Sequence, residues 1–421
     1  MFDMKKILLL SAIIFICIFS ALHAQGTDSV TATSFDPAAA TQKYLDILSP
    51  AQKAKSDAYF EGGYWLILWN LLYTLALGFV FLRLGLSKWM KKIAQKVNNI
   101  NLQNLIYGLL YLLLAWILSF PISVYEGFCR EHQYGLSNMT FTGWLVESLE
   151  QLGLTAILGG VLLVVLYFAI RRTGKRWWIW GTAIVIAFTA FTAFIAPVFL
   201  MPIFNQYKPL EEGPIKAQIL SMARANNIPA DNVYEFDASK QSNRISANVS
   251  GFANTTRISL NDNLLKRCTP AEIKSVMGHE MGHYVMNHVY KGILEMGVLM
   301  FLSFALVNWA FNTIVARWGD KLSITGIADI AGLPLLAVIF SVLSFFTTPI
   351  SNSLTRTQEI EADMFGLNAA REPDGFAAVS MKLSEYRKIN PGHWEEIIFF
   401  DHPSGRVRVS TAMKWKAENL K

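Results

Sequence analysis

Six runs of predominantly apolar residues punctuate the chain, at 64–84, 105–124, 153–170, 177–204, 293–316 and 328–350. Each reaches the roughly 18 residues that a helix needs to cross a bilayer. A seventh run, 7–23, is shorter; Lys5 and Lys6 precede it and Ala24 follows. That layout fits a signal peptide or a first transmembrane anchor, and Leu22 at the −3 position of a site with Ala24 at −1 favours the anchor. Two stretches are polar. Residues 205–292 mix helix and strand patterns behind Pro202, Pro209 and Pro214, and 351–421 read as helix, loop, helix. The pattern predicts a polytopic α-helical membrane protein with seven hydrophobic segments. Its divisions are 1–24, the signal or anchor; 25–204, the N-terminal transmembrane region; 205–292, polar; 293–350, a transmembrane hairpin; and 351–421, polar again. Because the polar segments flank one hairpin, a single domain is expected to be assembled from both.

Composition supports this reading. Of 421 residues, 53% are hydrophobic and only 16% charged, against about 25% charged in soluble domains. The 37 basic and 31 acidic side chains leave a net charge of +6, but the basic residues cluster beside apolar runs, so nucleic acid is not an expected partner. The lipid bilayer is. Cys17, Cys129 and Cys268 have no CxxC spacing, which argues against a disulfide framework or a cysteine metal site. The cluster Trp177, Trp178 and Trp180 fits an interfacial belt.

The segment 275–284 contains His279-Glu280-Met-Gly-His283, an H-E-x-x-H motif. On a helix, positions i and i+4 share a face, so two imidazoles can converge on one Zn²⁺ while the glutamate addresses water there. Thr269 and Pro270 supply an N-cap and first residue for a helix over 271–290. Catalytic zinc takes a third protein ligand and leaves one position open. Glu359 and Asp363 share a face four residues apart, so either can be that ligand while the other orients an imidazole; Glu361 points away. Two spans separate His283 from Glu359, so both emerge on one side of the membrane, as do His402 and Arg408. His288, nine residues after His279 on an ideal helix, falls off the zinc face and is expected to pack or to support a ligand. Residues 244–260 read as an edge strand or hairpin able to accept an extended peptide.

Taken together, His279-Glu-Met-Gly-His283, His288, Glu359-Ile-Glu-Ala-Asp363, His402-Pro403 and Arg408 resemble the CAAX prenyl protease 1 (Ste24) group of the M48 zinc metallopeptidases. Asp237–Lys240, Ser246–Gly251, Arg257–Asp262, Tyr64-Trp65 and Glu126-Gly127 are similar too, so the resemblance runs along essentially the whole chain. It implies a zincin-like α+β domain split around the last hairpin and membrane helices enclosing a chamber that the zinc faces. It further implies one Zn²⁺ on His279, His283 and Glu359, with Glu280 as general base. Asp363 becomes the partner of a ligand, and His402 and Arg408 line the site, where one of them can stabilise the oxyanion. The substrate strand departs from the group's common Asn-Ala-Tyr, reading Ser246-Ala247-Asn248; its backbone role survives, its side-chain specificity need not.

The expected activity is zinc-dependent endopeptidase cleavage of a peptide or protein substrate, prenylated or membrane-embedded. A transporter with a structural zinc site is the competing class, disfavoured because the spans are nearly free of charge. Two expectations about sidedness conflict. The resemblance implies a zinc domain facing the cytosol, where prenylated C termini occur. The basic loops 85–104, 171–176 and 317–327 oppose the acidic loop 125–152, which places the zinc domain on the non-cytoplasmic face and favours quality control of non-prenylated proteins.

Overall fold

The computed structural model describes residues 35–251 and 256–420; the hydrophobic run 7–23 and Cys17 lie outside them. The six longer apolar runs lie on helices. Five helical stretches among the described residues are long and apolar enough to cross a membrane: Pro50–Arg83, Ile100–Gln133, Phe141–Phe204, His288–Leu322 and Ile330–Ala370. The third carries two of the apolar runs, on helices Phe141–Thr173 and Trp177–Ile195, separated by the short turn Gly174–Arg176. Polar caps start several of them. Ser49 and Gln52 form a capping box at Pro50, and the Asn99 and Thr140 side chains accept from the first free N–H groups of their helices. Large apolar side chains such as Trp65, Phe79, Ile157, Phe199, Leu294 and Phe346 remain exposed on these helices, as a lipid-facing surface requires.

Inside the bundle, Phe81, Tyr107, Tyr167, Phe304, Val307, Phe311 and Leu335 pack into one core. Trp177 belongs to this core rather than to an interfacial belt: it is buried against Phe304, with its Nε1 donating to Asn308 at 2.8 Å. Buried indole N–H groups need such a partner. Trp180 is exposed. The basic loops gather at one end of the bundle. There Lys91 pairs with Asp329 at 2.8 Å, Ser87 donates to the Ala331 carbonyl, and Arg171 donates to Asn101.

The other end carries the polar domain. Glu131, after the second span, accepts from Tyr59 at 2.7 Å and pairs with Arg244 at 2.6 Å, and Gln241 donates to Glu147 at 3.0 Å. Four strands form its sheet: β1 (Tyr207–Pro209), β2 (Val233–Phe236), β3 (Ala247–Ser250) and β4 (Arg257–Asn261), in the order β1-β2-β4-β3. β2 and β4 are parallel, the outer pairings antiparallel. β3 is therefore an edge that pairs antiparallel with β4, in keeping with the edge strand or hairpin expected over 244–260. Ile219, Val233, Ile258, Leu260, Ile273, Met277 and Met281 fill the core between sheet and helices.

The motif helix spans Pro270–Val285 and begins with a full capping box between Thr269 and Glu272. It stops short of the expected 290. Asn287 adopts the left-handed conformation at φ 58° and a new helix, His288–Leu322, starts at once. In the C-terminal segment, helix Leu333–Ala370 runs unbroken from apolar to polar sequence. Three shorter helices follow, at Pro373–Leu383, His393–Phe399 and Gly405–Asn419, so 351–421 holds four helical segments where helix, loop, helix was expected. The two polar segments join through Arg267–Glu385 at 2.6 Å and Lys382–Glu272 at 2.7 Å.

Candidate functional site

The motif helix crosses helix Leu333–Ala370 at very close range. A Cβ on Gly366 would lie 2.8 Å from the His279 backbone nitrogen, and one on Gly282 would lie 3.1 Å from the Ala362 Cα. This approach sets Glu359 against both motif histidines. Glu359 Oε2 lies 3.3 Å from His279 Nε2, Glu359 Oε1 lies 3.4 Å from His283 Nε2, and the two Nε2 atoms are 3.1 Å apart. One ligand atom from each residue lies within 4.8 Å of the others. Of the two carboxylates, Glu359 is the one that converges with both Nε2 atoms, whereas Asp363 faces His279 Nδ1 at 2.8 Å.

Partners on the far nitrogens fix how the rings present themselves. Asp363 accepts from His279 Nδ1 and is itself gripped by Arg408, whose Nε donates to Oδ2 at 2.9 Å. His283 Nδ1 meets His288 Nδ1 at 2.9 Å, and His288 Nε2 meets Glu361 at 3.1 Å. Lys291 clamps Glu361 at 2.7 Å. A carboxylate can only accept, so His288 carries its proton on Nε2 and its Nδ1 receives the proton of His283. With each Nδ1 engaged, by Asp363 and by His288, both Nε2 atoms face each other and Glu359. Glu359 Oε2 is buried without a hydrogen-bond partner. Two imidazole nitrogens and a carboxylate oxygen in this convergence match what zinc takes in catalytic sites, so the residues fit the ion. Burial disfavours a charged His279, but the Asp363 and Glu359 carboxylates, which accept from the ring, outweigh it and push its pKa up to about 9. The same carboxylates favour a cation between the rings.

Glu280 lines the adjoining cavity with Ser246, Ala247, His402 and Arg408. Burial raises its carboxyl above the usual range, against the pull of His279 and His283. His402 Nε2 stands 3.3 Å from Glu359 Oε2 and its Nδ1 bonds Asp401 at 2.8 Å. Arg408 is committed to Asp363 and so stands behind the ligand set. Of the three strand residues, Asn248 does not line this cavity; it pairs with Ser259 in the sheet and accepts from Ser250 at 3.0 Å.

His288 reaches His283 because the chain breaks at Asn287, in keeping with the packing or supporting role expected of it. Sequence reasoning missed one residue of the site. Arg387 also lines the cavity, and nothing in its sequence neighbourhood distinguishes it from a solvated arginine.

Comparison with known proteins agrees with this geometry. Residues 209–416 match the sequence model of peptidase family M48, and 36–206 match that of the CAAX prenyl protease N-terminal region, five membrane helices. The uncharacterized metalloprotease YhfN of Bacillus subtilis is 30% identical over 400 residues, covering 92% of this chain and 90% of YhfN. CAAX prenyl protease 1 of Saccharomyces cerevisiae is 26% identical, covering 73% of this chain and 71% of the yeast protein. The crystal structure of S. mikatae Ste24p shares the fold, with a TM-score of 0.73 at 23% identity, over 90% of this chain and 94% of that one.

Proposed function

The chain belongs to peptidase family M48, and on that premise we propose that His279, His283 and Glu359 hold a single Zn²⁺ and that Glu280 is the general base of peptide-bond hydrolysis. The protein is a multi-pass membrane metallopeptidase, which sets aside the transporter reading. The observation that carries the assignment of residues is the convergence of the two Nε2 atoms and the Glu359 carboxylate, from segments 76 positions apart (359 − 283) in the chain.

Zinc, when bound, supplies Lewis acidity that makes water a nucleophile near neutral pH. The chain's own groups do the rest. Glu280 accepts a proton from the attacking water and returns it to the departing amine; its raised pKa suits both halves of that exchange. Asp363, held by Arg408, keeps His279 Nε2 turned to the ion. With Arg408 so engaged, His402 is the remaining candidate to stabilise the oxyanion, and only in its protonated form, which burial disfavours, lowering its pKa against the pull of Asp401 on Nδ1. β3 offers a free edge, so an extended peptide can pair with its backbone at Ala247, whereas the Ser246 N–H and carbonyl just before the strand are already engaged by Asn261.

Glu280→Gln tests the base. Cleavage of a fluorogenic peptide should fall by at least about 10²–10⁴ while the purified protein retains zinc by elemental analysis. Turnover that survives the substitution would remove Glu280 from the mechanism.

For the substrate we propose proteins outside the cytosol, membrane-embedded or exported, rather than prenylated C termini. The gathering of the basic loops at the end of the bundle opposite the polar domain supports this.

A further inference from the structure

Arg387 sits in the connection after helix Pro373–Leu383 and lines the cavity that holds His279 and Glu280. Its backbone is pinned, since its carbonyl accepts from Ser56 at 3.0 Å. The guanidinium is different. Among the described residues it has no hydrogen bond and no ion pair, and its closest aromatic contact is the Tyr386 ring, with the centroid 6.0 Å away, the outer limit of a cation–π contact. The acids that act on it are already engaged: Asp401 bonds His402 at 2.8 Å, and Glu359 faces His279 and His283 at 3.3 and 3.4 Å. Burial lowers the Arg387 pKa, helped by Arg408 and opposed by Tyr386, Asp401 and Glu359. A half-buried arginine with five free donors is costly unless an anion completes it.

We propose that Arg387 is a substrate-binding residue that pairs with a carboxylate of the peptide lying in this cavity, either a chain terminus or an Asp or Glu side chain. The inference rests on the peptidase reading above and adds a specificity to it. The shared walls carry the argument: Ser246 and Ala247 at the start of β3, Glu280 of the motif helix and Arg387 border one space. A peptide paired with the β3 edge and presented to Glu280 lies within that space. A guanidinium meets a carboxylate through two parallel hydrogen bonds, which an ammonium cannot copy.

Two matched pairs of fluorogenic peptides test this on the full-length, zinc-loaded protein in detergent. One pair differs only in a free or amidated C terminus, the other in an internal Glu or Gln near the scissile bond. In the wild type, kcat/KM should favour the carboxylate in one pair by roughly ten- to a hundredfold, as a charge-assisted hydrogen bond does. The pair that discriminates identifies the source. Arg387→Gln should bring that ratio close to one, and Arg387→Lys should leave it intermediate. Ratios near one in both pairs for the wild type would overturn the proposal. So would a parallel loss on all four peptides in both variants, which is the mark of a structural role. Binding of the same peptides to Glu280→Gln, followed by fluorescence anisotropy, separates this inference from the reading beneath it. Discrimination in binding with no wild-type cleavage would defeat the peptidase assignment alone, whereas cleavage without discrimination would defeat the carboxylate site alone.

Discussion

At the scale of single residues, the site is a set of imidazoles whose far nitrogens are all spoken for. His279 leans on Asp363, and His283 leans on His288, which leans on Glu361. The second chain reverses one expectation. Reading the helix 359–363 by phase alone turns Glu361 away from the metal and makes its loss innocuous. Its carboxylate does face away, yet it fixes the proton on His288 and through it the lone pair of His283. Outer partners of ligand histidines are typically worth about 10–100-fold in metal affinity. Glu361→Gln and His288→Ala should therefore each weaken zinc binding by about that factor, measured by competition with a chromogenic chelator. Affinities equal to the wild type would show that His283 needs no such support. The motif itself was legible because i and i+4 spacing is a property of any helix. The supporting role of His288 was legible too, but not its partner, because the contact with His283 depends on a single left-handed residue, Asn287, that takes it out of the helical phase. Arg387 left no sequence signal, since an arginine in a loop is ordinarily solvated.

Among elements, the crossing of the motif helix with helix Leu333–Ala370 decides whether a site exists. Gly278 and Gly282 on one side and Ala362 and Gly366 on the other let the backbones come together, and only at that distance does a glutamate from one helix reach two histidines of the other. A Cβ at Gly366 would meet backbone atoms of His279 at 2.8 and 3.0 Å, which cannot rotate aside. Gly366→Ala should cost about 1–3 kcal/mol of stability through overpacking and weaken zinc binding with it. Gly159→Ala, whose nearest neighbour is a Thr155 methyl at 3.9 Å, should do neither. Thermal unfolding and zinc titration of the two variants measure the difference, and equal behaviour would mean that the crossing tolerates expansion. The spans were readable because the bilayer imposes length and polarity on every helix that crosses it. The burial of Trp177 was not, because a local run of tryptophans carries no information about Phe304 and Asn308, more than 120 residues on (304 − 177 = 127). The sheet order escaped for a related reason: the parallel pairing of β2 with β4 skips β3, and no local alternation encodes such a skip.

For the whole molecule, the unresolved quantity is a sign, and charge supplies it. Lys88, Lys91, Lys92 and Lys96, then Arg171, Arg172, Lys175 and Arg176, then Arg317 and Lys321 belong to three loops of one end. Contacts of Lys91 with Asp329 and of Arg171 with Asn101 tie those loops together. The opposite end holds the acidic Glu126, Glu131, Glu147 and Glu150 and the zinc-binding domain. Short loops rich in lysine and arginine stay on the cytoplasmic side, so the domain should face away from the cytosol. A single cysteine tests this when Cys17, Cys129 and Cys268 have been replaced. Lys208→Cys sits on β1, where the lysine side chain is 66% exposed, and Lys175→Cys sits in the exposed turn between two membrane helices. In intact cells a membrane-impermeant maleimide should label position 208 and spare 175, and lysis should expose both. The inverse pattern would put the zinc domain in the cytosol, where prenylated C termini occur, and a CAAX prenyl protease activity like that for which the yeast relative is named would become the leading account of the substrate. The expected pattern removes that source of substrate altogether. The carboxylate proposed for Arg387 would then have to come from a protein that has entered or crossed the membrane.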